Sequence, residues 1–350
     1  MRIDPPTVPT DGVAAGRTLC TTGRRRVLST VAFLAAVSIA PAAWGQGVKR
    51  LPRVAYVYLF PIGPSAPYVD AFLEGMGTLG WVDGKTMRFE VRYAQSNPEK
   101  LAAIMRDLVE SKVDVIVAVC TPEAMAAKKA TSTIPVVVTS TGDPVRSGLI
   151  TSLARPGGNI TGVTSSVLSL SAKRVEVLRE LSPRVRKASV LWNPIRSDNA
   201  MEYEVMRQAG DHLGVQVLSQ QVRDGDELDV ALDAINKDGT EAVLEAGDGF
   251  LEGRLGQVLE FVAQRRLPGV YDNRTWTDAG GLMSYGPNLP QLNRRAAGFV
   301  DRILRGAKPA DLPFEQPDRF ELVINLKTAK ALGISIPQSL RVRADEVLPE

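Results

Sequence analysis

The sequence predicts an α/β protein with two successive doubly wound lobes, each built on a parallel β-sheet. Its 350 residues are 44% hydrophobic and 23% charged, which is typical of a soluble globular protein with about two domains. From residue 51 onward, short apolar runs alternate with amphipathic stretches of helical length. Strands that alternate with helices in this way form parallel sheets that helices cover on both faces.

The first series begins with the apolar run 53–60, which predicts a buried strand. Asn97 and Pro98 predict a helix start, because a proline at the first helical position loses no hydrogen bond. The predicted strands of this series are 53–60, 86–93, 114–120, 135–139 and 159–164, and its predicted helices are 68–79, 98–110 and 122–130.

A second series follows the same pattern without a detectable sequence repeat. Its predicted strands are 187–192, 215–220, 241–245, 268–271 and 281–285, and its predicted helices are 169–181, 199–213, 226–236 and 251–266. Helix 289–304, a proline-rich turn at 309–317 and a strand-helix unit at 320–332 come last. We expect this last segment to close both lobes.

Residues 1–45 have the pattern of a leader with a signal peptide. Arg24–Arg26 precede the apolar run Val27–Ala40, and Ala43 and Gly45 have the small side chains of a cleavage site. The run has about 14 residues, fewer than the roughly 20 residues of a membrane-spanning helix. We therefore expect export and cleavage near Gly45, by either the general secretory or the twin-arginine route.

Charge and composition exclude several kinds of site. Five basic and two acidic residues precede residue 46, which leaves 37 of each in the body. A neutral body lacks the clustered Lys and Arg that bind nucleic acids or an anionic membrane surface. Cys20, Cys120 and His212 are the only cysteines and histidine, so a Cys/His zinc site is excluded and no metal or cofactor is predicted.

The loops after the predicted strands are rich in hydroxyl groups. Ligands of open parallel sheets bind beyond the carboxyl ends of the strands, so these loops are the candidate site. Hydroxyls and helix N-termini hold carboxylates, whereas Asp143 or Asp248 can hold an ammonium group; capping a helix is the alternative role. Aromatic residues near strand ends belong either to the core or to a wall of the cleft: Tyr58, Phe60, Trp192, Phe250, Tyr271 and Tyr285. Together these loops predict a cleft for a small, polar, amino-acid-like molecule.

Signatures of common enzymes are missing from the sequence. No strand is followed by a P-loop or a Gly-x-Gly-x-x-Gly fingerprint, and there is no Gly-x-Ser-x-Gly nucleophile elbow. His212 lies late in a predicted helix, and Cys120 ends an apolar strand as a small buried residue. A carboxylate pair for glycoside cleavage remains open, since Asp143 and Asp248 can face each other across the cleft.

Several runs of residues resemble a known family. Gly142–Val145, Ser147–Ile150 and Leu153–Gly162 are similar to the signature of the ABC-transporter substrate-binding proteins of the tryptophan-binding-like group. Gly280–Pro287 and Phe320–Gly333 resemble the later motifs of that group. The resemblance extends over about residues 51–350.

This resemblance implies a type I periplasmic-binding fold, with two lobes joined by a three-segment hinge. The N-terminal lobe would comprise residues 51–163 with 286–316, and the C-terminal lobe residues 164–285 with 317–350. The implied protein is a periplasmic monomer without cofactor or enzymatic activity, which delivers a small solute to an inner-membrane permease and ATPase. The alternatives are a ligand-sensing domain for a membrane receptor and an exported enzyme on the same scaffold.

The resemblance also implies which loop residues contact the solute. The implied ligand-binding residues are Ser65, Thr121, Ser140, Asp143 and Ser165 in the first half, and Asn193, Asp248 and Tyr285 in the second. Glu245 departs from the apolar residue expected at its position in the family. This added carboxylate argues against an aromatic amino acid and for a more cationic solute.

Overall fold

The computed structural model describes residues 50–60, 66–165 and 167–350. The predicted signal peptide, residues 1–45, lies outside these residues. No helix in the described part is both long and apolar enough to cross a membrane.

The first series forms one parallel sheet with the strand order β2-β1-β3-β4-β5. Strands β1, β3, β4 and β5 are almost entirely buried, which explains their continuous apolar runs, while the edge strand β2 is half-buried. The elements are β1 (Arg53–Tyr58), α1 (Ala66–Thr78), β2 (Arg88–Tyr93), α2 (Pro98–Glu110), β3 (Val115–Ala118), α3 (Thr121–Ala130), β4 (Val136–Thr141) and β5 (Ile160–Thr164). We call this sheet and the helices packed on it the first lobe.

The second series supplies most of another sheet, which defines the second lobe. Its elements are α4 (Val167–Leu181), β6 (Lys187–Trp192), α5 (Ser197–Leu213), β7 (Gln216–Gln221), α6 (Gly225–Lys237), β8 (Ala242–Glu245), α7 (Gly249–Gly253), α8 (Leu255–Arg265), β9 (Gly269–Tyr271), α9 (Arg274–Asp278) and β10 (Met283–Gly286). The helix predicted over 251–266 is in fact two helices that meet at Arg254, directly after Gly253. Glycine is a poor helix former, and Asp248 starts the separate short helix α7 as its cap.

The last segment of the chain completes both lobes, as expected. Its elements are α10 (Leu289–Leu304), a 3₁₀ turn (Pro309–Asp311), β11 (Glu321–Asn325), α11 (Leu326–Leu332), α12 (Gln338–Arg343) and β12 (Glu346–Leu348). Helix α10 belongs to the first lobe, where Tyr56 donates a hydrogen bond of 2.8 Å to the Asn293 amide oxygen. Gly75 allows α1 to approach α10 closely, because a Cβ there would lie 2.8 Å from the Arg294 carbonyl oxygen.

The second sheet has the order β12-β11-β10-β9-β8-β6-β7 and is parallel except for one pair. Strands β10 and β11 are antiparallel, which corrects the expectation of a wholly parallel sheet. After Gly286 the chain leaves for the first lobe, and it returns at Glu321, which lies opposite Gly286. A strand that starts where its neighbour ends must run in the opposite direction.

The chain passes between the two lobes at three places, which confirms the three-segment hinge. These places lie between β5 and α4, between β10 and α10, and between the 3₁₀ turn and β11. Two of the segments are tied together, since Glu315 accepts a hydrogen bond of 2.9 Å from Thr164 and donates one of 3.0 Å to Gly162. Residues at or just after the carboxyl ends of strands in both sheets line a common gap.

Candidate functional site

A small cavity lies between the two lobes, at the carboxyl ends of their strands. Its volume is about 40 Å³, which is space for roughly three water molecules. A larger solute therefore enters only when the lobes separate more widely. The lining residues are Tyr58, Tyr68, Val119, Cys120, Ser140, Ser165, Arg174, Arg196, Gly247, Asp248, Gly249, Glu252, Asp272, Pro287, Leu289 and Asn293.

The first lobe contributes a wall of aromatic, thiol and hydroxyl groups. The Tyr58 ring packs edge-on against Phe60, with ring centroids 5.6 Å apart. Cys120 is half-buried at the start of α3, and burial raises the pKa of its thiol, so the thiol stays protonated. Ser165, in the segment that passes between the lobes after β5, adds a hydroxyl group that donates a hydrogen bond of 3.1 Å to the Thr141 carbonyl.

The second lobe places a buried ion pair at the cavity. Arg196 Nη2 lies 2.9 Å from Asp198 Oδ2, and Arg196 also donates to the Gly247 carbonyl. Burial by itself would raise the pKa of Asp198, but the Arg196 charge outweighs burial and lowers it. Thr121 of the first lobe donates a hydrogen bond of 3.2 Å to the same Asp198 oxygen, so Asp198 also connects the two lobes.

Arg174 provides a second guanidinium group at the cavity, and part of this group makes no hydrogen bond. Arg174 of α4 donates from Nε to the Tyr285 carbonyl at 3.1 Å, and its Nη1 lies 3.6 Å from Glu202 Oε2. Within the described chain, neither Nη atom of Arg174 makes a hydrogen bond, although the side chain is fully buried. Burial raises the pKa of Glu202 to about 7, and the Arg174 charge opposes this rise.

Asp248 caps helix α7 and faces the cavity. Its Oδ1 accepts hydrogen bonds from the Phe250 and Leu251 backbone N–H groups at 2.9 and 3.1 Å, and from the Asn193 amide at 3.2 Å. Its buried Oδ2 has no partner among the described residues. Burial raises the pKa of Asp248 to about 6.

Further carboxyl groups lie beside Asp248. Tyr68 of the first lobe donates to Glu252 Oε1 at 2.6 Å, which is a second contact across the lobes. The Asn273 amide donates a hydrogen bond of 2.8 Å to Asp272 and one of 3.4 Å to Glu252. Burial raises the pKa of Glu252 to about 8, and burial together with the nearby Asp272 raises the pKa of Glu245.

The structure brings six of the eight predicted ligand residues together. Three of them line the cavity: Ser140, Ser165 and Asp248. Three more contact lining residues or their ion-pair partners: Thr121, Asn193 and Tyr285. Asp143 instead accepts hydrogen bonds from the Val145 and Arg146 backbones and lines a separate pocket. Ser65 lies outside the described residues.

This arrangement answers two questions left open by the sequence. Asp143 and Asp248 line different pockets, so they do not form the carboxylate pair considered for glycoside cleavage. Of the aromatic residues at strand ends, Tyr58 lines the cavity, whereas Trp192 stacks on Tyr203 and Tyr271 on Trp276.

Sequence reasoning missed four polar or charged residues that line the cavity: Tyr68, Arg174, Arg196 and Glu252. Arg174 had a detectable signal. It lies at the same helical phase as Leu170 and Leu178, so it is a charged residue within an apolar stripe. Such a position predicts a buried charge with a specific partner.

Comparison with known proteins agrees with this geometry. Residues 64–348 match the family model described as ABC transporter substrate binding protein. The tyrosine-binding protein of Clostridioides difficile (strain R20291) is 26% identical over 263 residues, which are 75% of each chain.

Two solved structures are similar to this fold. A conserved domain protein from Vibrio cholerae superposes with a TM-score of 0.79 at 26% identity, over 85% of this chain and 100% of the other. The ABC domain from Streptococcus pneumonia in complex with L-Trp has a TM-score of 0.77 at 23% identity, over 84% of this chain and 100% of the other. The family predicted from the motifs is confirmed: this chain belongs to the ABC transporter substrate-binding proteins.

Proposed function

We propose that this chain is the exported solute-binding component of an ABC importer, and that it captures an amino acid or a related zwitterion between its lobes. The observation that carries this proposal is the mixed charge of the cavity, where Arg174 has two unused donors and Asp248 an unused acceptor. A carboxylate and an ammonium group on one small molecule match these groups. The names of the relatives, which mention tyrosine binding and L-Trp, support an amino acid as the class of solute.

Capture and release would follow from closure of the hinge. We propose that the lobes comprise residues 51–163 with 286–316 and residues 164–285 with 317–350. Hydrogen bonds from Thr121 to Asp198 and from Tyr68 to Glu252 already join them. A solute that touches both lobes favours closure, and a near-complete shift requires about 5.5 kcal/mol of preference for the closed form. An inner-membrane permease would then recognise that closed form.

In this proposal the protein works as a periplasmic monomer that releases its solute chemically unchanged. The protonated thiol of Cys120 is a poor nucleophile. His212 is exposed near the end of α5 and does not line the cavity. These two features support binding without catalysis.

Thermal-shift screening of the purified protein against amino acids, small carboxylates and sugars tests this function. A solute at 100 times its Kd raises the free energy of unfolding by about 2.7 kcal/mol. We expect at least one amino acid to raise Tm and to be recovered intact. Stabilisation by sugars alone, or recovery of an altered solute, would contradict the proposal.

A pair of matched variants tests the position of the site. Asp248→Asn removes a cavity charge but keeps a side-chain oxygen that caps α7, so we expect the fold to persist and the affinity to fall at least about tenfold. Asp143→Asn makes the same change in a loop outside the cavity and should leave affinity within about twofold. Equal effects of the two variants would show that binding occurs elsewhere.

A further inference from the structure

Four carboxyl groups form a cluster beside the cavity, which we call the acidic cluster: Glu245, Asp248, Glu252 and Asp272. The first three are 0 to 5% exposed, and Asp272 is partly buried. The Asn273 amide bridges Glu252 and Asp272, and the Asp248 backbone N–H donates 2.9 Å to Glu245. These carboxyl groups therefore lie close together in a region that water reaches poorly, which raises the pKa of Glu245, Asp248 and Glu252.

The acidic cluster has no basic partner of its own. Among residues 50–60, 66–165 and 167–350, no Lys or Arg nitrogen lies within 4.0 Å of any of these four carboxyl groups. The two arginines at the cavity face other acids, with Arg196 2.9 Å from Asp198 and Arg174 3.6 Å from Glu202. After these two pairs are matched, the four acids of the cluster remain without a paired cation, and the charges of Arg174 and Arg196 act on Glu245 and Asp248 only from a longer distance.

One oxygen of the acidic cluster also lacks a hydrogen bond. Asp248 Oδ2 is buried and accepts none from the part of the chain that the structure describes, whereas Glu245 shares a side-chain hydrogen bond with Asp272. A buried carboxylate oxygen without a donor is costly, so it indicates that a donor comes from outside the chain. In the same cavity, the two Nη atoms of Arg174 lack an acceptor. The cavity thus offers one place for an anionic group and a larger place for cationic groups.

We propose that the solute carries a net positive charge and is an α-amino acid with a basic side chain. Its α-carboxylate binds Arg174, while its ammonium group and its side-chain cation lie against the acidic cluster. A neutral zwitterion would balance Arg174 and one carboxylate and leave the rest of the excess in place. This inference rests on the proposed function, because it names the class of solute for the same cavity.

Isothermal titration calorimetry of the purified protein tests the charge of the solute directly. Arginine and citrulline form a matched pair, since they have similar length and shape but citrulline has a neutral ureido group. Lysine and norleucine form a second pair. We expect arginine or lysine to bind at least about tenfold more tightly than its neutral counterpart.

The possible outcomes separate the two proposals. Equal affinity for arginine and citrulline, or binding of tyrosine or tryptophan but of no basic amino acid, would overturn this inference and leave the proposed function standing. Binding of no amino acid at all would overturn both.

A charge-removing variant assigns the preference to the acidic cluster. Asp272→Asn keeps the side-chain oxygen that accepts from Asn273, so we expect it to fold. It should weaken binding of the basic amino acid at least about tenfold more than it weakens binding of the neutral counterpart, whose ammonium group also lies against the cluster. Asp278→Asn removes an acid from the exposed end of α9 and serves as the control. A loss shared equally by both solutes would contradict the proposal, and Glu245→Gln provides the same test if Asp272→Asn does not fold.

Discussion

Replacing Glu252 by glutamine tests whether buried carboxyl groups at the cavity destabilise the protein at high pH. Burial raises the pKa of Glu252 to about 8 from an ordinary value of 4.5. Between these values the folded protein holds a proton that the unfolded chain has released. The stability that this proton confers is complete below pH 4.5 and is lost as the pH rises through about 8.

The size of the effect follows from the two pKa values. At 1.36 kcal/mol per pKa unit, the interval from 4.5 to about 8 corresponds to about 5 kcal/mol. This is an upper limit, because separation of the lobes exposes the carboxylate to water without unfolding the chain. Glutamine carries no charge at any pH and still accepts the hydrogen bond from Tyr68. We therefore expect Glu252→Gln to be more stable than the natural protein by about 1–3 kcal/mol at pH 8.5, and nearly equal to it at pH 4.5.

Urea denaturation followed by circular dichroism at pH 4.5, 6.5 and 8.5 measures this difference. Asp248, Glu202 and Glu245 also have raised pKa values, so stability of the variant still falls with pH, but less steeply. Glu260→Gln, on the exposed face of α8, is the control, and its free energy of unfolding should change with pH as it does in the natural protein. If the free energy of unfolding of Glu252→Gln shows the same pH dependence as that of the natural protein, burial does not raise the pKa of Glu252 and the reasoning is wrong.

Two further predictions concern closure of the lobes. Gly249→Ala should hinder closure of the lobes, because a Cβ at this position would lie 2.2 Å from the Tyr58 hydroxyl of the first lobe. Small-angle scattering should therefore show a larger radius of gyration for this variant than for the natural protein. Gly253→Ala in the same helix meets nothing within 4 Å and should leave the radius unchanged, so a matching increase would refute the steric argument. Tyr68→Phe removes the 2.6 Å bond to Glu252 and should weaken solute binding at least about tenfold by calorimetry, while an unchanged affinity would show that this bond contributes nothing to the closed form.

Local patterns were sufficient for most of the fold. The apolar runs of β1, β3 and β4 marked buried parallel strands, and the Asn97–Pro98 start of α2 is confirmed, with Asn97 accepting from the Lys100 backbone. Such features depend on burial and capping within a few residues, so they are visible in the sequence. The antiparallel pairing of β10 with β11 is not visible in the sequence, because it follows from the path of the chain through the other lobe.

The cavity shows where sequence reasoning ended. Loop positions such as Ser140 and Asp248 could be placed near the gap, because every strand of a parallel sheet delivers its following loop to the same edge. The hydrogen-bond partner of Tyr68 could not be predicted in this way, since Glu252 lies 184 residues away in the sequence. Nothing within either segment specifies the other.

The sequence by itself determined the elements, their order in two lobes and the family of this chain. These properties depend on the spacing of apolar residues and on contiguous motifs, which a single segment contains. Only the tertiary structure decided that Arg174 has unused donors and that, within the described residues, no Lys or Arg nitrogen lies within 4.0 Å of the acidic cluster. The charge balance of a cavity is a sum over side chains from distant segments, and folding alone brings them within range of one another.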